Sequence, residues 1–249
     1  MKRYVSAGLV LFGFALSFVN MACSSAEKTA DTPEGLIEIA REYEKDERYE
    51  EAIRRFNDIR TRFPYSSVAV EAELAVADCN FKQESFPEAQ AGYQAFKELH
   101  PKHAKIAYVI YRLGLSYFNQ LPDTVDRDLS LAENTIASFD EVINGYATTE
   151  YVPDAKEKRL KAYELLAGHE QYVADFYLKK EIFKSAASRY EYILAKYPGI
   201  GFDERALVGA ARASFRLGEH SRAKVHYDAL KAKYPQSAEL SAVQSELGL

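Results

Sequence analysis

Few residues in this 249-residue chain are of the types that do chemistry. Cys23 and Cys79 are its thiols, and His100, His103, His169, His220 and His226 its imidazoles. His100 and His103 flank Pro101, and two ligands are too few for a metal site. No glycine-rich phosphate loop and no nucleophile motif occurs. The carboxylates are numerous but scattered, as solvated charges on helix faces usually are. Catalytic residues are therefore predicted to be none, bound metal none and cofactors none, so the chain does not read as an enzyme. Cys23 stands apart because of its place in the sequence.

Lys2 and Arg3 precede residues 5–19, VSAGLVLFGFALSFV, which carry no charge. That run has the length of a signal-peptide core and falls short of the roughly 20 residues that span a bilayer. Ala22 then precedes Cys23. A cysteine just after such a run resembles the bacterial lipobox, although Asn20 stands where that motif prefers leucine. The resemblance implies that residues 1–22 are a signal peptide and that Cys23 is lipidated and becomes the first mature residue. Ser24 after it implies sorting to the outer membrane. Residues 24–34, SSAEKTADTPE, have too little apolar surface to offset ordering entropy, so residues 23–34 are predicted to be a flexible tether. Loss of residues 1–22 removes two cations and takes the net charge from −5 to −7, which speaks against nucleic acid as a partner. With Cys23 lipidated, Cys79 has no disulfide partner. It lies in an apolar helical pattern and is predicted to be a small buried side chain.

The elements that would position any site follow from an internal repeat. Pro64, Pro101, Pro198 and Pro235 each follow an aromatic residue or histidine. Twelve residues earlier stand Ala52, Ala89, Ala186 and Ala223, and twelve before those Ala40, Ala77, Ala174 and Ala211. Phe56, Tyr93, Tyr190 and Tyr227 follow the second alanines by four residues. Small residues let two antiparallel helices approach, aromatics four and seven positions on fill the groove beside them, and proline ends the second helix. This pattern resembles the tetratricopeptide repeat (TPR). A further repeat centres on Gly114 and Ala132, with an insertion around "LPDTVDRD". Residues 154–180 are predicted to form one long helix with Asp154 as N-cap. The predicted fold is all-α: a right-handed TPR superhelix, an α-solenoid of five helix pairs over residues 35–249. The repeats fall at about 35–64, 70–101, 105–146, 154–198 and 204–235, with a short capping helix near 238–247. His100 fills the place of Phe63, Tyr197 and Tyr234, and His220 that of Tyr49, Phe86 and Phe183, so packing accounts for both.

In a TPR array the first helix of each pair lines the concave face. The family register puts Ile37, Arg41 and Glu44, then Leu74, Asp78 and Phe81, then Tyr111, Leu115 and Phe118 on it. The last row is apolar, which suggests a groove for an extended or helical peptide. Its predicted lining is Leu74, Phe81, Tyr111, Leu115 and Phe118.

The two insertions sharpen the resemblance. "RFPYSS" at 62–67, "HAKIAYVIYRLGLSYF" at 103–118, "DRDLSLAENTIASFDEVINGY" at 126–146 and "AGHEQYVADFYLKKEIFKSAASRYEYILAKYP" at 167–198 resemble the BamD family. These are TPR lipoproteins of the β-barrel assembly machine. The resemblance covers essentially the whole mature chain. It implies a non-enzymatic scaffold, lipid-anchored in the outer membrane on its periplasmic face. The implied partners are the central outer-membrane barrel protein with POTRA domains, accessory assembly lipoproteins and unfolded outer-membrane proteins. The N-terminal repeats would receive the aromatic-ended targeting strand of those substrates. The C-terminal repeats would dock on the last POTRA domain, with Arg189 of "SAASRYEYI" pairing to an acidic residue there. The loop of residues 119–130 would contact the barrel protein or an accessory lipoprotein. Another periplasmic TPR adaptor, serving peptidoglycan synthesis or envelope division, is the alternative. Such proteins usually carry a coiled coil before the repeats, and this chain shows none.

Overall fold

The computed structural model describes residues 31–249. The signal sequence, Cys23 and the tether up to residue 30 lie outside the described residues. Eleven helices and no strand are found among the described residues. Five antiparallel pairs are α1 (Pro33–Lys45) with α2 (Tyr49–Arg62), α3 (Ser67–Lys82) with α4 (Phe86–Leu99), α5 (Ile106–Phe118) with α6 (Ala132–Gly145), α7 (Val152–Lys179) with α8 (Phe183–Lys196), and α9 (Asp203–Arg216) with α10 (His220–Lys233). A final helix, α11 (Leu240–Leu247), buries Val243 and Leu247 against the last pair. Each helix packs on the next in sequence, and first helices of neighbouring repeats also meet at α1–α3, α5–α7 and α7–α9. This is the all-α TPR solenoid, with its core strung along the repeats rather than gathered at one centre.

Local chemistry sets the helix ends. Thr32 accepts a hydrogen bond from the Gly35 amide (3.1 Å) and Ser66 one from the Val68 amide (3.1 Å), each satisfying a donor the helix leaves free. The first helix thus starts at Pro33, inside the stretch expected to be tether. Proline is also tolerated in the first turns of α4 and α7. For α7 this moves the start to Val152. Asp154 is therefore not an N-cap but lies within the first turn. Glu47, Glu84, Glu181 and Gly218 adopt positive φ (59°, 63°, 58° and 79°). All four stand seven residues after the repeat's small residue and turn the first helix into the second.

The repeat's small residues explain the packing. Ala40, Ala52, Ala77, Ala89, Ala174, Ala186, Ala211 and Ala223 are fully buried. Phe56, Tyr93, Phe96, Phe139 and Tyr190 fill the space between helices. The approach is closest at Gly209 of α9, where an added Cβ would lie 2.3 Å from the Tyr190 ring. Cys79 is buried in the first core cluster, and burial pushes its thiol up to about 12.

The 28-residue α7 is about twice the length of its neighbours. Its N-terminal half buries Ala155 and Ala162 beside the third pair, and its C-terminal half buries Ala167, Gln171 and Ala174 as the first helix of the fourth. One continuous helix therefore joins the third and fourth repeats.

Candidate interaction surfaces

The face expected to be an open apolar groove is largely closed. Leu74 is 4% and Leu115 8% exposed, and both belong to the core between the second and third pairs. They are not groove residues. Helices α3 and α5 turn these positions inward because they pack between neighbouring helices rather than against solvent. Phe81, Tyr111 and Phe118 are half-buried, and each is matched by a polar or aromatic neighbour. The Arg112 guanidinium lies 3.6 Å from the Phe81 ring centroid and Lys158 lies 5.5 Å from that of Phe118. Tyr111 stacks on Tyr151 at 4.9 Å and donates to Asp154 Oδ2 at 2.7 Å. Burial and that bond to a carboxylate both raise the Tyr111 hydroxyl above its ordinary range. The start of α7 thus supplies the cover, through Tyr151, Asp154 and Lys158.

An opening survives beside this cover. A cavity of about 530 Å³ is lined by Asp78, Ala107, Lys105, Tyr108, Glu150 and Tyr151, where the start of α5 and the turn before α7 face Asp78 of α3. Its floor is a hydrogen-bonded network. Tyr93 and Tyr108 both donate to Asp78 Oδ1, at 2.6 and 2.8 Å, and Arg112 Nε donates to the Tyr93 hydroxyl at 3.2 Å. Burial first, and the Asp78 charge second, hold both tyrosine hydroxyls well above their usual range. The fourth repeat repeats the device. Tyr190 donates to Asp175 at 2.7 Å, and Arg205 pairs with the same carboxylate. In each, the aspartate follows the repeat's small residue and the tyrosine comes fifteen residues later. That spacing is present in the sequence, but the repeat register marks Asp78 only as one member of a face and does not mark Asp175.

Arg189 projects from α8 and is 45% exposed. One of its nitrogens donates to both oxygens of Glu170 on α7, at 2.9 and 2.7 Å, and that carboxylate is only 14% exposed. Tyr192, three residues on along α8, is exposed and meets Tyr197 edge-on at 5.9 Å. The seam between α7 and α8 therefore presents a charged centre, with the exposed Tyr192 on the same helix. Glu170 is the member of this seam that no motif or repeat position singles out.

The histidines pack rather than converge. His100 leans on Phe96 and pairs with Glu73 at 3.2 Å, His103 meets the other side of Phe96 edge-on, and His220 meets Phe215. No group of residues able to hold a metal ion occurs among the described residues. His169 Nδ1 donates to the Val125 carbonyl at 2.6 Å. Gly168 leaves room for the Val125 side chain, 2.9 Å from where a Cβ would stand. Together they strap the loop after α5 onto α7. No helix among the described residues is long and apolar enough to cross a membrane.

Residues 29–230 match the model of the YfiO family, described as an outer membrane lipoprotein. Curated relatives carry the name outer membrane protein assembly factor BamD. The protein of Neisseria gonorrhoeae is 27% identical over 243 residues, covering 94% of this chain and 90% of its own length. That of Rickettsia prowazekii is 31% identical over 190 residues, covering 76% and 75%. That of Neisseria meningitidis serogroup A is 27% identical over 198 residues, covering 76% and 74%. Among solved structures, a thermophilic TPR protein of Thermus thermophilus is similar at a TM-score of 0.41 and 15% identity, over 88% of this chain and all of that one. With most of its length matched by the family model, and with relatives of which it spans three quarters to nine tenths, the chain belongs to the BamD family.

Proposed function

We propose that the protein is a non-enzymatic scaffold of outer membrane β-barrel protein assembly, held to the periplasmic face of the outer membrane by lipid on Cys23. The observation that carries this reading is the match to a BamD-named assembly factor over almost the whole chain. The α7–α8 seam is the docking surface for the periplasmic POTRA domains of the central barrel protein, and Arg189 is its charged contact. Glu170 holds the guanidinium in place beforehand. Such preorganisation lowers the ordering cost of an interface contact. An exposed pair contributes little by itself, so Tyr192 on the same helix supplies the desolvated contact area.

The substrate site is the cleft over Asp78 rather than an open apolar row. Tyr108 and Tyr151 offer aromatic walls, and Lys105 offers a cation to the carboxylate that ends an unfolded barrel substrate. Phe81, Tyr111 and Phe118 continue the same face. The strapped loop over residues 119–131 is the surface offered to accessory lipoproteins.

Purification of the full-length protein from detergent-solubilised envelope, with mass spectrometry of what accompanies it, tests the reading. A near-stoichiometric barrel protein with POTRA domains is expected, and Arg189→Glu should release it. Recovery of peptidoglycan synthases or division proteins without a barrel protein would overturn the assignment.

A further inference from the structure

We propose that the edge of the solenoid at the first two repeats lies against the membrane surface, with Tyr65 and Leu99 entering the lipid interface. The inference rests on the proposed lipid anchor at Cys23 and goes beyond it, because an anchor alone leaves open which face meets the bilayer.

The tether reaches the fold at one definite point. Asp31 accepts from Arg62 Nη2 at 3.2 Å, at the C-terminal end of α2. Asp31 lies eight chain steps beyond Cys23. Fully extended they span at most about 29 Å. The end of α2 and the turn after it therefore cannot lie far from the headgroups. The pairs are antiparallel, so the turn after α4 emerges at this same edge.

What stands there suits an interface. Tyr65 is 101% exposed and Leu99 67%, the two most exposed large apolar side chains among the described residues. Isolated exposed apolar residues are ordinary, but Leu99 lines a depression at this edge and Tyr65 directly follows Pro64, which lines it too. A cavity of about 560 Å³, lined by Arg60, Thr61, Pro64, Val70, Leu99 and His100 among others, runs between their turns. Tyrosine, with an apolar ring and a polar hydroxyl, suits a boundary of this kind. The charges are compatible with an anionic surface. Arg60 is bonded only to the neutral Asn57, and Lys102 has no ion-pair partner among the described residues. Asp58 and Asp31 are taken by Arg62, and Glu73 by His100. Glu98, bonded to Gln94, and exposed Glu34 in the first turn of α1 are opposing carboxylates, so the edge is close to neutral rather than acidic. Cations near an anionic leaflet each favour apposition by roughly fivefold.

The chain has no tryptophan, so single substitutions make clean reporters. The full-length lipidated protein carrying Tyr65→Trp would be reconstituted in vesicles of phosphatidylcholine with one quarter phosphatidylglycerol, with or without brominated lipid. Val225→Trp, at an exposed site of α10 in the last repeat, serves as the control. The expected result is a blue-shifted emission from residue 65 that brominated lipid quenches. Residue 225 should remain water-like and unquenched. Arg60→Glu with Lys102→Glu should reverse the shift. Mass spectrometry of the N-terminal peptide separates the two ways of failing. If Cys23 carries acyl chains and residue 65 still emits as in water, the membrane-facing edge is wrong and the anchor stands. If Cys23 is unmodified, the anchor reading fails and this inference falls with it.

Discussion

Asp78→Ala is the most informative single change for the fold around the proposed substrate cleft. The Asp78 carboxylate accepts from two tyrosine hydroxyls, Tyr93 at 2.6 Å and Tyr108 at 2.8 Å, and so ties α3 to α4 and α5. Tyr93 is fully buried and keeps only the Arg112 contact when the carboxylate goes. Tyr108 is half-buried and recovers part of its loss from water. A hydrogen bond to a charged group is worth about 1.5–3 kcal/mol. With about 2–2.5 kcal/mol for buried Tyr93 and about 1–1.5 kcal/mol for Tyr108, which water partly compensates, the loss comes to about 3–4 kcal/mol. For a chain of this size each kcal/mol moves the melting temperature by roughly 2–4 °C. The expected fall in thermal unfolding followed by circular dichroism is therefore on the order of 6–16 °C. Asp78→Asn retains an acceptor oxygen and should lose about half as much. Asp175→Ala, which breaks the same device at Tyr190 and Arg205, should reproduce the effect in the other half of the solenoid. A fall below about 2 °C, or equal losses for the Ala and Asn variants, would refute the claim that the network holds these helices together.

Further outcomes follow from individual contacts. Gly209→Ala places a Cβ 2.3 Å from the buried Tyr190 ring, and the overpacking should cost about 2–3 kcal/mol in urea unfolding. The Tyr93, Tyr108, Tyr111, Tyr190 and Tyr197 hydroxyls are all raised by burial. Unfolded tyrosines ionise near pH ~10 while the folded ones keep their protons, so stability is full below that pH and falls as pH rises above it. A pH series of melting curves through the alkaline range checks the sign. Cys79, with its thiol pushed up to about 12 and no exposure, should resist alkylation in the folded protein and react in denaturant, as read by intact mass. Arg189→Gln should lower the melting temperature by no more than a few degrees, because the pair with Glu170 is open to solvent on its guanidinium side and contributes about 1 kcal/mol, yet should release the barrel partner on purification.

How much of this is legible in the sequence varies with the length scale of the physics. The repeat is written in single residues. Alanine at paired positions, an aromatic four residues on and a closing proline each act through contacts within one or two turns, so the helix pairs, the long α7 and the final cap can all be read. Asp154 shows the limit of local rules. Its type suits an N-cap, but Pro153 fits the first turn and Tyr151 is drawn into the stack on Tyr111, so the helix begins earlier. The groove assignment fails for Leu74 and Leu115 for a larger reason. A register tells which side of a helix a residue occupies, not how far the next repeat leans over it.

That lean is decided by the whole superhelix. The sequence by itself determined an all-α solenoid, its register and its family resemblance, because these depend on periodicity and on residue types. Only the tertiary structure decided that α7 covers the apolar row, that the start of α5 and the turn before α7 leave a cleft over Asp78, and that Arg189 is held by Glu170. Each depends on side chains brought together from different helices, nineteen to forty-three residues apart for the pairs concerned, and separations of that kind carry no signal in a single chain's local pattern.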